Sequence, residues 1–447
     1  MHTLYGAIRV ERLSPPVASR LMVYATTALY SGLVAGDPSA PSLAGRLNGL
    51  EQVPHAAAGS AYDGTLVALA AERVVLDSLL REALPTTLAS VHRAADSIQT
   101  ARGESGARKP AVAESENLGR DIGLAIVRWS RTDGFDATRG RTYISPAGAG
   151  LWVNDAPGNT FASQNMSGAS EFIALDNPAN QLRSGNSSDR SLILNRPKRA
   201  GVATLPAVNM AGTSEPYWKD VRPFVLKSWS ECPVPAPPDY STDTTSARYR
   251  DAQQLVSLKK TLTPAQKEIA LYWADNAGES GTPVGHWFSI ASQMVSERHL
   301  SATGAAWLMV LTAAAQADAF IASWGYKYQF NTLRPRPYIR SLIDSTWEPF
   351  IPTPPFPEYP SGHSTQSSAA ATVLTTVLGA TEFEDSTVVS LGHTVRHFSS
   401  FTAASDEAGM SRLYGGIHFP TGNTGGRTLG QCIGAKVVER LGTGTAR

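Results

Sequence analysis

From Thr303 to Gln329 the chain is apolar on every side, interrupted by only two charges, Asp318 and Lys327. A segment of that length without a polar face reads as a long helix buried inside the protein. Its most apolar part, near Ala305 to Ala315, runs into Gln316 and Asp318, so it is expected not to cross a bilayer. Other helices are written nearby. Residues 17–34 are rich in alanine and leucine around Leu21, Val23 and Leu29. In 63–82, apolar residues recur at helical spacing at Leu66, Leu69, Ala70, Val74, Leu76 and Leu80. Thr263 suits an N-cap, Pro264 the first helical position, and Gln266 can close a capping box. Residues 364–379 are rich in alanine and valine. Strand-like alternation is scarce. The expected fold class is all-α, built as two helical bundles.

A chain of 447 residues exceeds one ordinary core. The expected division is an N-terminal helical half, 1–200, and a C-terminal bundle, 201–447. Residues 132–200, rich in Gly, Ser, Asn and Asp, read as a loop-rich insertion. Pro233, Pro235, Pro237 and Pro238 form a stiff connector ahead of the Thr263 helix. The net charge of +1 gives no reason to expect nucleic acid or a membrane surface as partner, so any anion site must be local. The N-terminus, with Arg9, Glu11 and Arg12, lacks the apolar core of a signal peptide. Cys232 and Cys432 leave room for one bridge, but unpaired thiols are the preferred reading.

Three short segments in the last third carry chemistry. In the first, Lys327 and Arg334 stand two helical turns apart, so both can project from one face, and Pro335 ends the element. Alone, this is an ordinary solvated basic face. The second, Pro360-Ser361-Gly362-His363, precedes the alanine-rich helix. Gly362 lets an anion approach the backbone, the helix N-terminus favours negative charge, Ser361 adds a hydroxyl, and His363 can act as acid or base. Alone, it is as well explained by a turn and an N-cap. The third runs Ser411-Arg412-Leu413-Tyr414-Gly415-Gly416-Ile417-His418. Arg412 offers a planar fork for oxyanion oxygens, and His418 follows a glycine bend. Together the three segments point to a tri- or tetra-oxo anion held in the C-terminal bundle.

This set resembles the signature of the type 2 phosphatidic acid phosphatases and the vanadium-dependent haloperoxidases: Lys, six residues, Arg-Pro; then Pro-Ser-Gly-His; then Ser-Arg, five residues, His. The resemblance is clear over roughly 205–440. It implies that Lys327, Arg334, Ser361, Gly362 and Arg412 hold vanadate oxygens, that His418 is the nitrogen ligand to vanadium, and that His363 is the catalytic acid–base, with Lys327 polarising peroxide. It further implies hydrogen peroxide and halide as substrates, bromide and with less support chloride, and a hypohalous species that halogenates a small organic substrate. Trp324 and Phe356 match the aromatic residues that fungal-type chloroperoxidases place near halide. Nothing in the sequence excludes a homo-oligomer. The alternative is a soluble acid phosphatase with His418 as phosphoryl acceptor; a binding protein of decayed activity is disfavoured by the intact His363 and His418. Chain length, the missing membrane spans and the aromatic pair favour the haloperoxidase.

One departure stands out. The superfamily often carries Asp four residues after the last histidine, where this chain has Gly422. Asn423, Glu407 or a carbonyl is then expected to hold the other nitrogen of His418. Glu358, beside the aromatic pair, is expected to make halide binding costlier. His286, His393 and His397 are read as structural, the last two sharing a helix face, and Asp318 as the partner of a buried arginine.

Overall fold

The computed structural model describes residues 2–57, 62–104, 109–155 and 213–443. Among them the chain is helical apart from one two-stranded ribbon. The N-terminal part comprises α1 (His2–Val10), α2 (Pro15–Leu33), α3 (Gly64–Leu79), α4 (Pro85–Glu104), α5 (Lys109–Ser130) and the single turn α6 (Phe135–Thr138). After a short 3-10 turn come α7 (Ala247–Lys260), α8 (Pro264–Tyr272), α9 (Thr282–Glu297), α10 (Ala302–Phe330), α11 (Pro335–Leu342) and α12 (Gly362–Leu378). The antiparallel ribbon of β1 (Phe383–Asp385) and β2 (Arg396–Phe398) precedes α13 (Phe401–Tyr414) and α14 (Pro420–Leu441). Most of the expected insertion at 132–200, with the boundary near 200, lies outside the described residues.

The long apolar segment is α10. It is long and apolar enough to cross a membrane, yet nearly all of it is buried inside the protein. Helix α2 packs on one side of it and α12 on another. Helix ends are capped as their sequences suggest. Thr263 accepts from the backbone N–H of Gln266, whose side chain accepts from Thr263 N–H at 2.9 Å. Asp63 caps α3. The proline-rich connector leads into α7 rather than directly into the Thr263 helix.

Helix α14 carries glycine at every fourth position: 422, 426, 430 and 434. From Gly426 onward this row lies against α12. A Cβ on Gly430 would stand 2.0 Å from the Thr365 carbonyl oxygen, and one on Gly434 would stand 2.6 Å from that of Ala369. The two backbones approach closely because no side chain separates them. This fixes the N-terminus of α12 against the start of α14.

Two expectations need correction. Cys232 and Cys432 are joined by a disulfide, Cα–Cα 5.9 Å, because the 227–232 loop is folded onto α14. Glu231 there pairs with Arg440 and Lys436. A crosslink closing a loop of 200 residues removes much unfolded-state entropy. Reduction is expected to lower the unfolding free energy by about 2–5 kcal/mol. The check is the urea midpoint with and without reductant. Asp318 forms no direct ion pair with an arginine, feeling the partly buried Arg440 only through space: its carboxylate accepts the backbone N–H groups of Phe224, Val225 and Leu226 at 2.6, 2.9 and 2.8 Å. A buried turn with three unpaired donors needs such an acceptor as much as a cation would.

Candidate active site

Lys327 and Arg334 converge, but not from one helix face. Helix α10 stops at Phe330, Asn331 caps it in the left-handed region, and Arg334 is itself the N-cap of α11, with Pro335 opening that helix rather than ending one. Both side chains are fully buried. The Lys327 ammonium donates to the carbonyls of Pro357, Glu358 and Pro360 at 3.0, 2.9 and 2.6 Å. All three of its protons are therefore engaged, and reaching an anion requires it to give up one of these bonds. Arg334 donates through Nε to Phe356 O at 2.8 Å and through Nη1 to Ile417 O at 2.9 Å; its Nη2 is buried with no partner.

The Pro-Ser-Gly-His segment folds as expected. Ser361 caps α12, accepting from Ser364 N–H and Ser364 Oγ. Gly362 turns its open side to Trp324 and Lys327: an added Cβ would meet Trp324 Cζ3 at 3.2 Å and Lys327 Cε at 3.9 Å. The His363 ring hydrogen-bonds the Trp273 backbone, while its Nε2 is buried without a partner. From α13, Arg412 donates through Nη2 to Trp273 O at 2.6 Å and through Nε to Ser411 Oγ at 3.0 Å.

His418 stands between two groups. Its Nδ1 lies 2.9 Å from Glu358 Oε1, and its Nε2 lies 3.1 Å from Arg334 Nη1. The pairing assigns the proton to Nδ1, donating to the carboxylate, and leaves the Nε2 lone pair facing the arginine. Glu358 Oε1 also accepts from Phe419 N–H at 3.1 Å. Glu358 is thus the orienting carboxylate that the missing Asp left open. A Cβ on Gly422 would stand 2.0 Å from Glu358 Oε1, so the glutamate occupies the space in front of residue 422. Neither of the two named side chains does this work. Glu407 accepts from Trp273 Nε1 and pairs with Arg396. Asn423 bonds Ser364 and the Gly409 carbonyl. Glu358 does not line the cavity beside the aromatic pair, its carboxylate being taken up by His418 and Phe419 N–H.

That cavity is lined by Trp324, Phe356, Phe320, His363, Arg412 and His418, and its rim is rich in proline. The Trp324 and Phe356 rings lie 4.9 Å apart, and Lys327 Nζ is 5.1 Å from the Phe356 centroid. Lys327, Arg334 and Ser361 lie behind its wall.

Burial sets the electrostatics. It drives the Lys327 pKa well below its usual value, with the Arg334 charge adding to the effect, and it lowers Arg334 and Arg412 to about 10. It drives His418 and His363 well down too, helped for His418 by Arg334, Lys327 and Arg412 and for His363 chiefly by Arg412. Burial pushes the Glu358 carboxyl up, against the pull of Arg248, Lys327 and Arg334. A multiply charged oxyanion would relieve this crowding of buried cations and give the orphaned Arg334 Nη2 an acceptor.

The other histidines are elsewhere. His393 and His397 do not share a helix face: one lies in the loop before β2 and pairs with Glu268 at 2.7 Å, the other lies on β2 and pairs with Glu384 at 2.8 Å. No cluster of potential metal ligands is found among the described residues.

Comparison with known proteins agrees with this geometry. The family model of the second helical-bundle domain of VCPO matches residues 307–444. No curated protein matches significantly. Among solved structures, a bacterial vanadium-dependent iodoperoxidase superposes with TM-score 0.81 at 28% identity, over 98% of this chain and 94% of that one. The holo form of a bacterial vanadium-dependent chloroperoxidase gives TM-score 0.67 at 18% identity, over 97% and 93%. An apo form gives 0.65 at 16%, over 96% and 94%. At those lower identities the likeness is one of fold. None of these relatives favours the phosphatase alternative. In its helical fold, and in the three motifs brought together in and behind one cavity, the chain is similar to the vanadium-dependent haloperoxidases.

Proposed function

We propose that this protein is a vanadate-dependent haloperoxidase that uses hydrogen peroxide to oxidise iodide and bromide, with chloride a poor substrate. The observation that carries the reading is His418. Its Nδ1 is engaged by a buried carboxylate, so its Nε2 is presented as a neutral ligand nitrogen amid buried cations. The donor set fits vanadate: Arg334 Nη2 and His363 Nε2 are buried without partners, and Gly362 leaves room beside Lys327.

In this reading Lys327, Arg334, Ser361, Gly362 and Arg412 hold the anion's oxygens, and His418 bonds the metal. Bound there, vanadate supplies a Lewis-acidic centre that activates peroxide toward halide. His363, neutral because burial and Arg412 disfavour its charged form, accepts a proton at Nε2 when peroxide enters. Trp324 and Phe356 give halide an apolar wall. Iodide and bromide are weakly hydrated and more easily oxidised than chloride, so they gain most from such a wall. The oxidised halogen then passes to a small organic acceptor.

The test is halogenation of a phenolic dye with peroxide and each halide, with and without added orthovanadate. The expected result is activity that requires vanadate and falls in the order iodide, bromide, chloride. Hydrolysis of a phosphate monoester without any halide oxidation would reverse the reading. Phe356→Ala is expected to raise KM for bromide roughly tenfold, the effect of about 1.4 kcal/mol. An unchanged KM would show that the ring does not shape the halide site.

A further inference from the structure

A second cluster of charge lies just behind the cavity wall, built on His286 of α9. This side chain is fully buried between two carboxylates: Nδ1 is 2.9 Å from Asp275 Oδ2 and Nε2 is 2.7 Å from Asp385 Oδ2. A neutral imidazole has one N–H, so it would set a lone pair against one of these oxygens. Two carboxylates at hydrogen-bond distance therefore call for the doubly protonated ring. Its pKa follows. Burial alone would lower it, but Asp275 and Asp385 outweigh burial and raise it to about 10.

The cluster reaches the site through Trp273 and through Asp275 itself. The Trp273 ring stacks on the His286 ring with centroids 4.3 Å apart and planes 14° from parallel. The Trp273 indole N–H donates to Glu407 at 3.0 Å, holding the ring from another direction. The backbone of Trp273 is then the meeting point of two site residues, accepting Arg412 Nη2 at 2.6 Å and bonding the ring of His363. Beyond it, Ala274, Asp275, Asn276 and Ala277 line the same cavity as His363 and Arg412. Asp275 is held at φ +48°, in the left-handed region, with Ser280 Oγ donating to its other oxygen at 3.1 Å. A non-glycine residue keeps such a conformation only when its surroundings enforce it. The enforcing contacts here are the His286 ring and Ser280. Asp385 stands on the far side of His286, at the end of β1, where it also accepts Thr387 N–H at 2.9 Å.

We infer that His286, gripped between Asp275 and Asp385, is a positioning residue for the haloperoxidase reaction: it fixes the Trp273–Asp275 backbone, and through it the acid–base His363 and the oxyanion-binding Arg412. The inference rests on the haloperoxidase reading above. It differs from a purely structural role in what it connects. A cluster that only ties α9 to the ribbon would affect stability alone, whereas this one sets the acceptor shared by two groups that face the anion.

Two variants test it, His286→Gln and Asp385→Asn, neither of which touches the cavity. Three quantities are read for each: the melting temperature, the orthovanadate Kd by equilibrium dialysis, and the pH profile of iodide oxidation at saturating vanadate. The expected result in folded protein is a Kd weakened at least tenfold, a kcat lowered at least tenfold, and a displaced acid limb of the profile, with Asp385→Glu restoring part of each. Should His286→Gln fail to fold, Asp385→Asn decides the matter on its own. Variants that melt lower but keep Kd, kcat and pH profile within twofold of the parent overturn the inference and leave the haloperoxidase reading standing. A parent protein that neither binds vanadate nor oxidises iodide removes both.

Discussion

Replacing His418 by alanine is expected to abolish vanadate binding and halide oxidation together, the largest functional effect among single substitutions in this protein. The side chain supplies the one nitrogen facing the buried cations whose second nitrogen is already engaged. Without it the remaining contacts are those of any oxyanion site, and peroxidase activity should fall to background. His363→Ala is the contrast. It removes a buried nitrogen without a partner but no contact between Glu358 and His418, so vanadate should still bind while kcat drops by about 10²–10⁴. Glu358→Gln falls between them. An amide can still accept from His418 Nδ1–H, but without a carboxylate's charge, and loss of such an outer partner typically costs 10–100-fold in metal affinity. Equilibrium dialysis of vanadate and steady-state bromide oxidation on the three variants separate the roles. Equal activity in His418→Ala and His363→Ala would sink the assignment.

Among single substitutions, the largest expected loss of stability comes from Gly430→Ala. The added methyl would stand 2.0 Å from the Thr365 carbonyl and 2.8 Å from Ser368 Cβ, and the first of these is helix backbone that cannot swing aside. Ordinary contact requires the two helices to separate by more than 1 Å, roughly the scale of overpacking that costs 1–3 kcal/mol or more. We expect about 3 kcal/mol, read as a lower urea midpoint, accompanied by lost activity because α12 carries Ser361, Gly362 and His363 at its N-terminus. Gly6→Ala is the control. It lies in α1 with nothing within 4 Å of the added carbon, and it should gain roughly 0.5–1 kcal/mol from reduced unfolded-state freedom. A Gly430→Ala protein as stable as the parent would show that the helices accommodate a wider spacing.

The sequence made much of this site legible because the residues proposed to face the anion sit in contiguous motifs, and contiguity survives without knowledge of the fold. Ser361, Gly362 and His363 are neighbours, and their helix begins where the serine cap requires. The long helix α10 was equally plain, since an element apolar on every face has only one place to go. Contacts across sequence were harder. Glu358 and His418 are far apart along the chain, and proximity to aromatic residues suggested a different role for the glutamate. A signal was present: a carboxylate missing at Gly422, and one carboxylate standing two residues before the Pro-Ser-Gly-His motif. Trp273, Asp275 and His286 were harder still, because their importance lies in a carbonyl and a stacked ring that no motif spells out. The bridge between Cys232 and Cys432 depended on a loop folding back on α14, which spacing alone does not reveal. The glycine row of α14 is visible in the sequence but argues against a helix by propensity; only close packing explains why it is one.

The eight residues from Phe356 to His363 bring together a carbonyl for Arg334, three carbonyls for Lys327, the carboxylate behind His418, the serine cap, the open glycine and the histidine proposed as acid–base. Site parts that could have been scattered over many loops are here carried on one ribbon of chain. Drift along that ribbon is therefore tightly coupled: a substitution that bends it anywhere moves several parts in concert, and repair has to come from within the same stretch. For anyone wishing to transplant the chemistry, this octapeptide has to travel with Lys327, Arg334, Arg412 and His418 and with a partner helix bare enough to lie against it, and a scaffold lacking the bare helix would receive the letters of the site without its geometry.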